Sequence, residues 1–92
     1  MDPAREASLE QERIHAKVAR QILELRTQAG LTQKELAEKV QTTQSVISRL
    51  EDADYEGHSL SMLRRISDVL GASLEVDIRK TSPWRIDEKP AD

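Results

Sequence analysis

The chain has no cysteine and no phenylalanine, and among its 92 residues only Tyr55 and Trp84 are aromatic. The missing cysteines exclude disulfides, thiolate chemistry and cysteine-ligated zinc together. So few aromatics leave little to stack on single-stranded nucleic acid or to line a pocket, and no small-molecule ligand is expected. Three glycines make no glycine-rich loop, and His15 and His58 lack metal-ligand spacing and read as plain surface histidines. Metal, nucleophilic and phosphoryl-transfer sites therefore lack parts, so the sequence reads as no enzyme, with no cofactor. No apolar run approaches the ~18 residues needed to span a bilayer, and no signal-peptide core opens the chain. A reducing, cytoplasmic setting is the default.

What is present is Leu, Ile, Val and Ala in helical spacing, with about a third of the residues charged. The net charge of −3 argues at first against a nucleic-acid partner. Its distribution matters more than its sum. Residues 13–80 carry eleven Lys or Arg against ten Asp or Glu, a balance of +1, whereas the first twelve carry −3 and the last twelve −1. The acidity sits mainly in the flanks, and non-specific phosphate affinity should be modest.

Four segments are predicted helical. From Leu9 an apolar stripe runs through Ile14, Val18, Ile22, Leu25 and Ala29, one face of a helix that ends at Gly30. Thr32 with Glu35 forms a capping box that opens a short second helix, Gln33–Val40. Thr43 caps a third helix with Val46, Ile47 and Leu50 on its inner face. Ser59 caps a fourth, whose inner face holds Met62, Leu63, Ile66, Val69 and Leu70 before Gly71. From Ala72 to Lys80 the period changes to two, with Leu74, Val76 and Ile78 alternating with polar residues, as in a half-buried strand. A lone strand cannot satisfy its own ladder, which suggests antiparallel pairing with the same strand of a second chain; the other placement lays it on the chain's own helices. The expected organisation is a flexible acidic lead-in over 1–12, a helical domain over 13–71, a dimerisation strand over 72–80 and a disordered tail over 81–92. Trp84, in that tail, is either a residue without structure or an anchor for a partner.

Two short helices joined by a tight turn make the frame of a helix-turn-helix. Ala37 is small where the second and third helices must approach, and Leu36, Val40, Ile47 and Leu50 close their interface. The outward face of the third helix holds Gln44, Ser45, Ser48 and Arg49, with no carboxylate before Glu51. An ordinary solvated face would more often carry Glu–Lys pairs. Hydrogen-bonding side chains without carboxylates suit a helix that enters the major groove.

The run from Leu31 to Glu51 (LTQKELAEKVQTTQSVISRLE) resembles the helix-turn-helix of the Xre/Cro/C1 family, which includes the lambdoid phage repressors. The resemblance implies a mainly α, four- to five-helix lambda-repressor-like domain that binds double-stranded operator DNA as a homodimer. It implies that Gln33 contacts the DNA backbone and buttresses the recognition helix, and that Thr32 and Thr43 touch phosphate. It places Gln44, Ser45, Ser48 and Arg49 on base edges, with Arg49 reaching either guanine or phosphate. It also implies an ion pair between Arg26 and Glu51. The run Tyr55–Leu60 and the C-terminal strand, with Leu74, Val76 and Ile78 as dimerisation residues, resemble antitoxins of the HigA kind. That branch would add a RelE/HigB-like toxin as partner and autoregulation of the operon.

Three departures limit the carry-over. Gln41 stands where the family usually has the glycine of the turn, and a positive φ there would strain a non-glycine residue. The loop after the third helix is acidic, with Glu51, Asp52, Asp54 and Glu56, and only His58 could meet a phosphate there. The strand lies outside the minimal repressor domain. The charge balance also admits another class of function, a helical protein-interaction module that keeps the fold without binding DNA.

Overall fold

The computed structural model describes residues 3–80, with side chains from Ile14 onward. Along them run α1 (Pro3–Gln28), α2 (Gln33–Val40), α3 (Gln44–Leu50) and α4 (Leu60–Val69). The last three start on a hydroxyl that replaces the missing carbonyl of a preceding turn. Thr32 Oγ1 accepts from the Glu35 amide at 3.0 Å, Thr43 Oγ1 from Val46 at 3.2 Å and Ser59 Oγ from Met62 at 3.2 Å. At α2 the cap is reciprocal, because Glu35 Oε1 accepts from the Thr32 amide at 2.9 Å.

Three of the helices stop in one way. After α1, α2 and α4 a residue in the left-handed region reverses the chain, and its own amide and the next one bond back into the last turn. At α1 that residue is Gly30 (φ 74°) and at α4 it is Gly71 (φ 69°). At α2 it is Gln41, with φ 66°. The Gln41 amide donates to the Glu38 carbonyl at 3.2 Å and the Thr42 amide to Ala37 at 2.8 Å. The turn geometry is therefore kept although a side chain is present, and the strain expected from the sequence is seated in the turn between α2 and α3.

The helix α1 starts earlier than the apolar stripe suggested, at Pro3 rather than near Leu9. Proline suits a first helical position, where its missing N–H leaves no bond unmade. Most of the segment expected as a flexible lead-in over 1–12 is thus helical backbone from Pro3 on.

The core consists of Ile22 from α1, Leu36, Ala37 and Val40 from α2, Ile47 and Leu50 from α3, and Ile66 from α4. Val18, Leu31, Val46, Tyr55, Met62, Leu63 and Leu70 pack around it. Helices as short as α2 and α3 are unstable alone, so their packing is what holds them. Leu36 and Ile47 are fully buried, and Ala37 leaves room for the two helices to close.

The expected strand over 72–80 is not present in the single chain. No strand is formed among the described residues, and Leu74, Val76 and Ile78 are 37, 60 and 93 % exposed. The residues alternate as a strand would, but no neighbouring strand is present to complete a ladder. The placement on the chain's own helices is not adopted by Val76 and Ile78. Trp84 and the tail expected over 81–92 lie outside the described residues.

Candidate nucleic-acid interface

Burying Ile47 and Leu50 fixes the rotation of α3 about its axis. The opposite face then carries Gln44, Ser45, Ser48 and Arg49, all exposed. Gln44 and Ser48 form one i,i+4 row and Ser45 and Arg49 the other, so the four make one continuous patch. No carboxylate lies in the first turn of α3, and Arg49 in its last turn is the one charged residue of the helix. None of the four side chains has a hydrogen bond or ion pair among the described residues, so their donors and acceptors are unspent.

Thr43 flanks this patch and Thr32 sits at the start of α2, both exposed. Each hydroxyl oxygen accepts the capping amide, which leaves its O–H free to donate. The Thr32 amide is taken by Glu35 and is not free for an anion. Both bonds to Thr32, the backbone one first, hold the Glu35 carboxyl below its ordinary value.

Gln33 is half-buried, and its amide nitrogen donates to Glu51 Oε1 at 3.0 Å. One of its amide hydrogens is thereby engaged, while the second and the amide oxygen are not used in that bond. Glu51 also takes a forked pair of bonds from Arg26, Nε to Oε2 at 2.6 Å and Nη2 to Oε1 at 3.1 Å. The remaining terminal nitrogen of Arg26 donates to the Leu31 carbonyl at 2.8 Å. The Arg26 guanidinium is raised above its ordinary pKa, first by its hydrogen bond to Glu51 and also by the charge of that carboxylate. One carboxylate at the end of α3 thus joins α1, the start of α2 and α3 itself.

The loop Asp52–Ser59 does not offer the phosphate contact that its single base suggested. His58 turns inward, with Nε2 on the Leu50 carbonyl at 2.7 Å and Nδ1 buried. One ring nitrogen is thus spent on a backbone carbonyl and the other is buried. His15 of α1 lies over the His58 ring, with centroids 6.0 Å apart and 21° between planes, and Tyr55 meets the same ring edge-on at 5.5 Å. The two histidines expected as separate surface residues are therefore one cluster, and no local signal in the sequence joins them. A second contact escaped the sequence in the same way: Arg65 of α4 donates to the Val40 carbonyl at the end of α2.

Among the described residues no helix is long and apolar enough to cross a membrane, and no cluster of three metal-ligating side chains occurs. No individual curated protein or solved structure matches the chain closely enough to be compared with it. Residues 22–76, well over half of the chain, match the helix-turn-helix family. That span holds the two capped short helices, the αL turn at Gln41 and the bare polar face of α3. The chain belongs to the Xre/Cro/C1-type helix-turn-helix family of DNA-binding regulators.

Proposed function

We propose that this regulator is a sequence-specific repressor that acts as a homodimer on an inverted-repeat operator. The single observation that carries the reading is the outward face of α3, where Gln44, Ser45, Ser48 and Arg49 are exposed and unbonded within the fold. Thr32, Thr43 and the free part of the Gln33 amide flank it as phosphate contacts. Arg49 supplies the strongest single base contact, since a bidentate arginine–guanine pair discriminates by ~1–3 kcal/mol.

Dimerisation is assigned to the segment holding Leu74, Val76 and Ile78. Their exposure in the single chain leaves apolar surface that antiparallel pairing with a second copy would cover. Two copies of α3 would then meet half-sites about one helical turn apart, ~34 Å, or a multiple of it. A face with one cation per chain gains most from such doubling.

The antitoxin reading adds sequestration of a RelE/HigB-like toxin. The observation that favours it is the length of α1, 26 residues against ten or fewer in each of the other three helices. Stable co-purification with the product of an adjacent gene supports it, and a lone stable repressor without such a partner counts against it.

The test of the main reading is a salt titration of binding to duplex DNA enriched by the protein from a random-sequence pool. Repressor function requires affinity that falls steeply with salt and a large preference for the enriched duplex over random sequence. No binding even at low salt would leave the protein-interaction module as the reading.

A further inference from the structure

The C-terminal end of α3 has a second clamp beside the Arg26–Glu51 pair. The Leu50 carbonyl is among the last of the helix, where no amide of a further turn follows to bond it. A carbonyl can only accept, so the 2.7 Å contact from His58 Nε2 requires a proton on that nitrogen. In the neutral ring Nδ1 is then the bare nitrogen, which fits its burial without a protein donor or acceptor among the described residues. One tautomer is therefore specified, and with it one orientation of the ring.

The ring is held from two further sides. His15, on α1, covers one side, and Tyr55 meets it edge-on. Gly57 makes this possible, because a Cβ there would overlap the Tyr55 ring and hydroxyl. The loop Tyr55-Glu56-Gly57-His58 thus has a geometric reason for its glycine. Its product is a donor placed on the recognition helix at Leu50, the residue that follows Arg49.

We propose that His58 is a positioning residue for the recognition helix, held by His15 and Tyr55 so that its Nε2–H fixes the last turn of α3 and with it the direction of Arg49. The effect on DNA rests on the repressor reading; the latch itself does not. α3 has only seven residues, so its last turn depends on contacts from outside. Arg26 acts on that turn through Glu51, and His58 acts on it through the Leu50 carbonyl.

The test has two arms. In the free protein, long-range proton–nitrogen NMR should show His58 protonated at Nε2 and bare at Nδ1. His58→Phe, which keeps a ring but loses the donor, should speed amide exchange at Glu51 and Asp52 relative to Leu36 by about three- to tenfold. The proton on Nδ1, or exchange at Glu51 and Asp52 that changes no more than at Leu36, overturns the latch.

In the second arm, His58→Phe should reduce the ratio of affinities for the enriched and random duplexes by about three- to tenfold, and His58→Gln, which restores a donor at the ε position, should recover it. Ile66→Val, a core change in α4, serves as the comparator; it should lower stability without moving the ratio. A ratio unchanged in His58→Phe, or lowered equally by Ile66→Val, overturns the positioning role. If the wild-type chain binds no duplex, the repressor reading fails by itself, and the first arm still decides the latch. The tautomer measurement needs only the wild-type protein, so it decides even where a variant does not fold.

Discussion

Arg26 and Glu51, 25 residues apart, form a forked ion pair whose side chains are 12 and 5 % exposed. At that partial burial the charges are screened less than at the surface. Removing one partner leaves the other without its charged hydrogen bonds, a loss of about 1.5–3 kcal/mol. Glu51→Ala should therefore lower stability by about that much, as read by urea titration. The double replacement Arg26→Met with Glu51→Leu should lose far less, because neither charge is stranded.

Gln41 is the non-glycine residue with positive φ among the described residues. Such a conformation costs about 1–2 kcal/mol for an L residue. Gln41→Gly should stabilise the protein by about 0.5–1 kcal/mol, after allowing for the freer unfolded chain. Thermal unfolding should shift up by several degrees, with no change in the denaturant slope. A fall in the melting temperature would mean that the Gln41 side chain makes a compensating contact.

The carboxyl of Glu35 titrates below its reference value of 4.5 because of its bonds to Thr32. A depressed carboxyl contributes stability above its unfolded pKa, and the contribution disappears as pH falls through the folded value. The acid limb of the stability curve should therefore contain a component that begins below about pH 4.5. Glu35→Gln should remove that component and leave the neutral-pH fold in place. Carboxyl NMR titration of Glu35 checks the direction of the shift.

Arg49 is exposed and has no partner within the described fold, so Arg49→Ala should leave thermal stability within about 0.5 kcal/mol. Selection of binding sites with this variant should show relaxed preference at one position of each half-site, a loss of ~1–3 kcal/mol in discrimination. Unfolding of the variant would show that the face has been assigned wrongly.

Val76→Asp puts a charge in the middle of the segment assigned to dimerisation. Sedimentation should show dissociation to monomers, and operator affinity should fall through lost bivalency. A monomer–dimer equilibrium identical to that of the wild type would reject the paired strand.

Much of this architecture is legible because it is local. Thr32 is read as a cap from Glu35 three residues on, Thr43 and Ser59 from the apolar runs that they precede, and the capping bonds form at all three. The inward positions Leu36, Ala37, Val40, Ile47 and Leu50 follow from helical period alone. What escaped depends on distance in the chain. The Gln33 amide can serve a phosphate or a carboxylate, and its bond to Glu51 is set by the packing of α2 beside the end of α3. His58 looks like a surface base until Leu50, His15 and Tyr55 are brought around it. Leu74, Val76 and Ile78 alternate correctly for a strand, yet a ladder needs a second strand that one copy of the chain does not contain.

The four bare side chains of α3 have a further consequence. Gln44, Ser45, Ser48 and Arg49 bear no part of the helix's own support, which comes from Ile47, Leu50, Glu51 and His58. If the proposed face is the reader, scaffold and lettering are written in different residues of the same seven-residue helix and its immediate border. On that reading a paralogue would acquire a new vocabulary by changing four exposed positions, with no repair needed beneath them. The same separation would make this helix a practical cassette for transplanting recognition between regulators of this fold.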